Sequence, residues 1–180
     1  LGTRARKTRT RSFNAFSSID YPETAVFRDT RLVTFLRRPT DQPPVRFYER
    51  LEPAVFVLRL VPGMRADIIP LLAPHYRALV VESFGVGGLP GGEHGEMYAR
   101  LQDWCTSGRL AVFTTQVPHE GCDLAVYEVG RSVKELPGVL EAKDMTPEAV
   151  AVKLMWALGQ TTDRAEAMRL FTTPVEWDIV

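Results

Sequence analysis

Apolar residues fall along this chain in two patterns, short unbroken runs and helical periodicity, and the two alternate. Val55–Leu60, Ala78–Val81 and Leu110–Thr115 are nearly continuous apolar runs of strand length. Between them, Arg65–Leu72 reads as a helix with Ile68, Ile69, Leu71 and Leu72 inward, and Met97–Trp104 reads as a second helix. Strands read as unbroken apolar runs when both faces of a sheet are covered, and strands that alternate with helices build parallel sheets. The pattern therefore predicts an α/β fold, a three-layer α/β/α sandwich with a small parallel sheet. The C-terminal third is helical. Asp144 or Thr146 caps a helix that carries Pro147 and Glu148 in its first turn, takes Val150, Val152, Leu154, Met155 and Leu158 as apolar positions, and ends at Gly159. Asp163 caps a last helix through Phe171.

Before these units lies a different texture. Arg4, Arg6, Arg9 and Arg11, with Lys7 between, alternate with other residues at a period of two. That spacing suggests an extended segment with one charged face. It fits an RNA- or phosphate-binding arm, or a solvated edge strand or linker. The lack of interleaved aromatics favours the second reading. Asn14–Ser18 and Tyr21-Pro22 form a turn-rich connector. A β-hairpin is predicted next, pairing Arg31–Leu36 with Val45–Tyr48 around the turn Pro39–Pro44. The division predicted is an extended linker over 1–24 and an α/β domain over 25–180.

Composition narrows the picture. The 180 residues carry a formal net charge of zero, so no global field draws the chain to nucleic acid or an anionic membrane. No apolar run reaches membrane-spanning length, and the N-terminus has no signal-peptide core. It also lacks an initiator methionine, which reads as a chain that begins inside a longer protein. Cys105 and Cys122 are too far apart for a CxxC site, and no metal or cofactor is expected. Cys105 reads as a buried helical residue and Cys122 as the more exposed, in a loop; a reducing cytosol suits both.

Ligands of parallel α/β sheets gather beyond the carboxyl ends of the strands. Two loops qualify there, Phe84–Gly92 and Gln116–Cys122, and adjacent parallel strands place them side by side. In the first, Gly85-x-Gly87 fits half a dinucleotide fingerprint, but Pro90 stands where the third glycine belongs. Gly85, Gly87 and Gly88 then serve a tight turn at positive φ, or a backbone surface that another subunit's substrate approaches. His75, His94 and His119 lie in no catalytic context. Near the second loop, Asp123 and Glu128 flank Tyr127; such carboxylates bind an amine, position a base, or cap helices. The residues by themselves show the edge of a site and no catalytic engine.

Several motifs, in order over nearly the whole chain, resemble the linker and C-terminal domain of type I (cytosolic) L-asparaginases. They are Gly2–Lys7 through Ser12–Phe16, Glu82–Pro90, Thr114-Thr115-Gln116, Val126–Arg131, Asp144–Ala149 and Lys153–Gly159. The resemblance implies hydrolysis of L-asparagine to L-aspartate and ammonia, without cofactor, by a threonine nucleophile on an N-terminal catalytic domain. The nucleophile's TGGTI-like motif is absent here, and Thr3, Thr114 and Thr115 lie in no such context. This chain is then expected to be inactive alone and to hold no catalytic residue. It is expected to assemble as a homo-oligomer, dimer or tetramer, in which the glycine turn and Tyr127-Glu128 approach the other protomer's active site. By position, Glu128 binds the substrate's amine or orients a catalytic group. Where some relatives bind asparagine at a regulatory site, this sequence departs with Glu82 and Val117, so such regulation is expected to be absent or rebuilt. Two other readings stay open: a free-standing domain that binds small amino acids, and an asparaginase-like component of a tRNA-dependent amidotransferase.

Overall fold

A computed structural model of the chain describes residues 3–36, 44–91 and 95–180. Its centre is a four-stranded sheet of β5 (Val55–Arg59), β6 (Ala78–Ser83), β7 (Leu110–Thr115) and β8 (Val139–Glu141), parallel throughout and in chain order. The crossovers contain α1 (Ile68–Leu72), α2 (Glu96–Thr106) and α3 (Glu128–Lys134). Leu58, Leu79, Val81, Ala111 and Phe113 face this side and pack on Ile69, Leu101, Trp104 and Val133. The opposite face, with Ala78, Val80, Leu110, Val112 and Leu140, lies under α4 (Pro147–Gln160) and α5 (Arg164–Thr172). Alternate residues of each central strand thus enter two separate cores. That is why β6 and β7 are apolar at consecutive positions, and the result is a three-layer α/β/α sandwich.

The helix signals in the sequence are used largely as read. Thr146 Oγ1 accepts the Ala149 amide at 3.3 Å and Pro147 opens α4; Asp163 accepts the Glu166 amide at 2.7 Å to start α5. Two apolar positions point outward instead, since Leu71 is 67% and Val152 58% exposed. Gly159 does not end α4, which runs through Gln160. A strap of backbone crosses there, and a Cβ on Gly159 would stand 2.6 Å from the Arg50 carbonyl oxygen.

The N-terminal region differs more. A hairpin is present, but β4 (Arg31–Thr34) pairs with β3 (Ala25–Arg28) before it, through a two-residue loop in which Asp29 has φ of +53°. Val45–Tyr48 joins no strand. It belongs to the strap: Tyr48 stacks edge-on against Trp156, Gln160 Nε2 donates to the Arg50 carbonyl, and the Glu52 amide donates to that of Met155. Of the predicted turn, residues 39–43 lie outside the described residues.

The basic arm forms β1 (Ala5–Lys7), antiparallel to β2 (Phe16–Ser18). It is extended, but its charged face is not all solvated. Arg4 is buried and donates to the Trp177 carbonyl, to the Asp144 carbonyl and to the Asp144 carboxylate at 2.7–2.8 Å. Arg6 pairs with Glu148 at 3.2 Å. The C-terminal tail is latched in the same region, where buried Lys153 meets Asp178 at 2.7 Å and the Thr173 carbonyl at 2.8 Å. Among the described residues no helix is long and apolar enough to cross a membrane.

Candidate functional site

A parallel sheet whose strand order never reverses has no topological switch point, so no crevice opens between diverging crossovers. What stands beyond its carboxyl ends here is a layer of polar residues under two loops. Buried Ser83, at the end of β6, donates to the Thr114 carbonyl at 2.9 Å. Gln116 Nε2 donates to the Leu60 and Glu82 carbonyls at 2.6 and 2.9 Å, stitching the ends of β5 and β6 together. The Glu82 carboxylate is nearly buried and paired with Arg59 at 3.3 Å, so its charge is balanced within the chain. Val117 is half-exposed. Thr115, the neighbour of Gln116, spends its hydroxyl on the Val117 amide.

The glycine turn folds back on itself. The Phe84 amide donates to the Gly88 carbonyl at 3.1 Å, and the Gly88 and Gly87 amides donate to the Phe84 carbonyl at 2.7 and 3.1 Å. Gly85 and Gly87 have φ of +51° and +153°, which side chains disfavour. Gly87 is buried, and a Cβ there would lie 2.7 Å from Leu124 Cδ2, whereas one at Gly85 would meet nothing within 4 Å. The close approach that Gly87 permits is therefore to the neighbouring loop of the same chain. Both amides that a phosphate cradle would need at Gly87 and Gly88 are already occupied, so the half fingerprint does not build a dinucleotide site.

The second loop does run beside the first. The Asp123 amide donates to the Val86 carbonyl at 3.2 Å, and the Cys122 thiol to the same carbonyl at 3.3 Å. Cys122 is thus buried at 4% exposure, contrary to the loop reading, because the glycine turn covers it. Burial, reinforced by the charges of Glu141 and Asp123, pushes its thiol up to about 12. Cys105 is buried on α2 as read, and burial pushes it up to about 11. Neither is a thiolate nucleophile at neutral pH.

Asp123 and Glu128 part ways. Asp123 Oδ1 accepts the Ala125 amide at 2.9 Å and closes a local turn. Tyr127 is the extended residue before α3 and is 52% exposed. Glu128 is the first residue of α3, exposed, and its carboxylate makes no ion pair or hydrogen bond with the described residues. His119 bonds to Asp20 through Nδ1 at 3.0 Å, and Asp20 also accepts the Glu120 amide, so the arm is tied to the second loop. Nothing in the local sequence around Asp20 signals that tie. His75 sits at the opposite end of the strands, and His94 is outside the described residues. Among the described residues no histidine hydrogen-bonds to a serine, threonine or cysteine, and no three potential metal ligands cluster.

The arrangement has proteins like it. An L-asparaginase of Thermococcus kodakarensis is 37% identical over 180 residues, matching 99% of this chain and 54% of that protein. A glutamyl-tRNA(Gln) amidotransferase component of Metallosphaera sedula is 36% identical over 178 residues, 96% of this chain and 39% of that protein. The solved structure of the thermostable T. kodakarensis L-asparaginase superposes with a TM-score of 0.83 at 33% identity, over all of this chain and 54% of that one. L-asparaginase I of Vibrio cholerae shares the fold, with a TM-score of 0.81 at 23% identity, over 99% of this chain and 54% of that one. This chain spans about half the length, or less, of the relatives it matches. The family model that matches covers residues 54–171, from the strap before β5 to the end of the α5 core, and so the chain belongs to the Glutaminase/Asparaginase C-terminal domain family.

Proposed function

We propose that this chain works as the C-terminal half of an L-asparaginase, which hydrolyses L-asparagine to L-aspartate and ammonia with a threonine nucleophile on an N-terminal domain. The observation that carries the reading is the match of 99% of the chain to 54% of the T. kodakarensis L-asparaginase, at 37% identity. The division into a linker over 1–24 and a domain over 25–180 belongs to the same proposal, as do a cytosolic location and assembly as a homo-oligomer. In it, Gly85–Gly88 and Tyr127-Glu128 line the active site of a neighbouring protomer.

The Glu128 carboxylate, with no partner among the described residues, suits that role. A substrate ammonium about 4 Å from a carboxylate near a protein surface gains about 4 kcal/mol of Coulomb energy before desolvation. Gly85 and Gly88 add no side chain to obstruct the approach. The test is steady-state kinetics on the assembled enzyme carrying this chain. Glu128→Gln is expected to raise KM for L-asparagine about tenfold to a hundredfold, the loss of one charged hydrogen bond. An unchanged KM removes Glu128 from the site.

One observation favours a second reading, a component of an amidotransferase: the 36% identity to the glutamyl-tRNA(Gln) amidotransferase chain of M. sedula. Its support from the basic arm is weak, because Arg4 and Arg6 are engaged with Asp144 and Glu148 inside the chain. Turnover of a misacylated tRNA by the assembled enzyme, with none of free asparagine, selects this reading.

A further inference from the structure

We propose that the concavity at the amino ends of β6 and β7 is a binding site for a small doubly charged oxyanion, a phosphate or a dicarboxylate. It is a cavity of about 390 Å³, bounded by the turns before the two strands and by the start of α5. At a rise of about 3.3 Å per residue, the length of β6 sets it roughly 20 Å from the glycine turn.

Its lining is unusually cationic for a chain with no net charge. Arg77, Arg109 and Arg164 all line it, with His75 and the hydroxyl residues Ser107, Thr161 and Thr162, against a single carboxylate, Asp163. Each guanidinium is permanently charged. Asp163 caps α5, its Oδ1 accepting the Glu166 amide, and offsets one of the three positive charges. Arg77 is compensated by Glu52 at 2.8 Å. The other two arginines have no carboxylate within 4 Å among the described residues.

Arg109 is fixed by neutral groups. Its Nε donates to the Tyr76 carbonyl at 3.3 Å, Nη2 to the Ala73 carbonyl at 2.8 Å and Nη1 to Ser107 Oγ at 2.6 Å, with the guanidinium over the Trp104 ring. A guanidinium has five N–H donors, so two stay unspent on a group already held rigid. Arg164 is held with fewer bonds still. Its Nη2 reaches only the Cys105 carbonyl, at 3.5 Å, and its Nε is buried with no acceptor among the described residues. The guanidinium fits where it does because residue 138 is glycine; a Cβ on Gly138 would overlap it.

Partly desolvated cations without counter-charge raise the local potential and favour an anion that supplies the missing charge and acceptors. Planar, forked donors suit the geometry of phosphate and carboxylate. The volume, at the lower end of the range for small-molecule pockets, admits a phosphate or a four-carbon dicarboxylate.

The experiment titrates the isotopically labelled full chain with inorganic phosphate, and separately with L-aspartate and with succinate, at ionic strength held constant with sodium chloride. Amide shifts are read by NMR. The expected result is saturation with a dissociation constant of about 1 mM or tighter, centred on Ser107–Arg109 and Thr161–Arg164. Saturation by phosphate alone identifies a phosphate site, by the two dicarboxylates alone a carboxylate site, and by all three a site that reads charge. Arg164→Gln is expected to weaken binding about tenfold or more, the loss of a charge-assisted contact. Should that variant fail to fold, Arg109→Gln, which removes the other cation without a carboxylate partner, is expected to give the same weakening. Shifts that stay linear and scattered over the surface, or an affinity unchanged in the folded variant, overturn the proposal.

Discussion

Alanine at Gly87 should cost the fold more than alanine at Gly85, and the excess measures how tightly the glycine turn packs on Leu124. Both glycines sit at positive φ, +51° at Gly85 and +153° at Gly87. A Cβ in the left-handed region costs about 1–2 kcal/mol, partly offset by the lower entropy of the unfolded alanine chain, about 0.4–1 kcal/mol. Gly85→Ala therefore costs about 1 kcal/mol by that difference, since its new methyl meets nothing within 4 Å. Gly87→Ala bears a backbone strain of about 1–3 kcal/mol at its own φ and also drives a methyl to within 2.7 Å of Leu124 Cδ2, a side chain with no exposed surface. Forcing an extra carbon into a filled core adds about 1–3 kcal/mol. Thermal unfolding reads the difference. For a chain of this length about 1 kcal/mol lowers Tm by about 2–4 °C, so Gly85→Ala loses about 2–4 °C and Gly87→Ala about 5–15 °C. Leu124→Val removes both δ-methyls, and in that background the two alanines should cost nearly the same. Equal losses in the parent chain, or an excess at Gly87 that survives in Leu124→Val, would refute the packing of one loop on the other.

Two more expectations concern buried charge and buried thiol. Asp178→Ala strands the buried Lys153 ammonium and should cost about 3–5 kcal/mol in chemical denaturation, while the pair Lys153→Met with Asp178→Leu should recover most of it. A loss below about 1 kcal/mol would mean that the latch is solvated. Cys105 and Cys122 should resist a thiol reagent at pH 8 in the folded chain and react on unfolding, because burial raises both from the ordinary 9.0, to about 11 and about 12. The unfolded state then loses these protons first. Stability from the thiols is full below pH 9 and falls from pH 9 to about 11 for Cys105 and to about 12 for Cys122, by about 1.4 kcal/mol per unit for each thiol within its own interval. Stability that rises over that interval contradicts the burial.

The residues show why some of this is legible and some not. β5, β6 and β7 announce themselves because each is apolar on two faces, and α4 and α5 because Thr146 and Asp163 make the caps their side chains advertise. β8 is three residues at the sheet edge, and α3 buries only Gly130 and Val133 and lacks a side-chain cap, so neither leaves a period to read. The hairpin reads one strand too late because Val45–Tyr48 has a strand's composition, yet Tyr48 packs on α4 while Val45 and Phe47 stay exposed. Cys122 reads as exposed because a loop position says nothing about a second loop folding over it. At the site, the glycine turn is visible as glycines and its neighbour as the loop of the next strand. The contacts between them, and the ties of Gln116 and Asp20, join residues distant in sequence and have no local signature.

Through all of this Gly85–Gly88 remains an edge: it occupies its own amides and packs on Leu124, with Glu128 exposed at the start of α3. The central claim is that such an edge completes a site whose nucleophile is supplied by an N-terminal domain. The direct measurement is ammonia release from L-asparagine, first by this chain alone and then by this chain joined to the part of the T. kodakarensis L-asparaginase that the match leaves uncovered. No turnover above blank is expected for the chain alone, and measurable turnover for the joined protein. Turnover by the chain alone, or none in a folded joined protein, contradicts the claim.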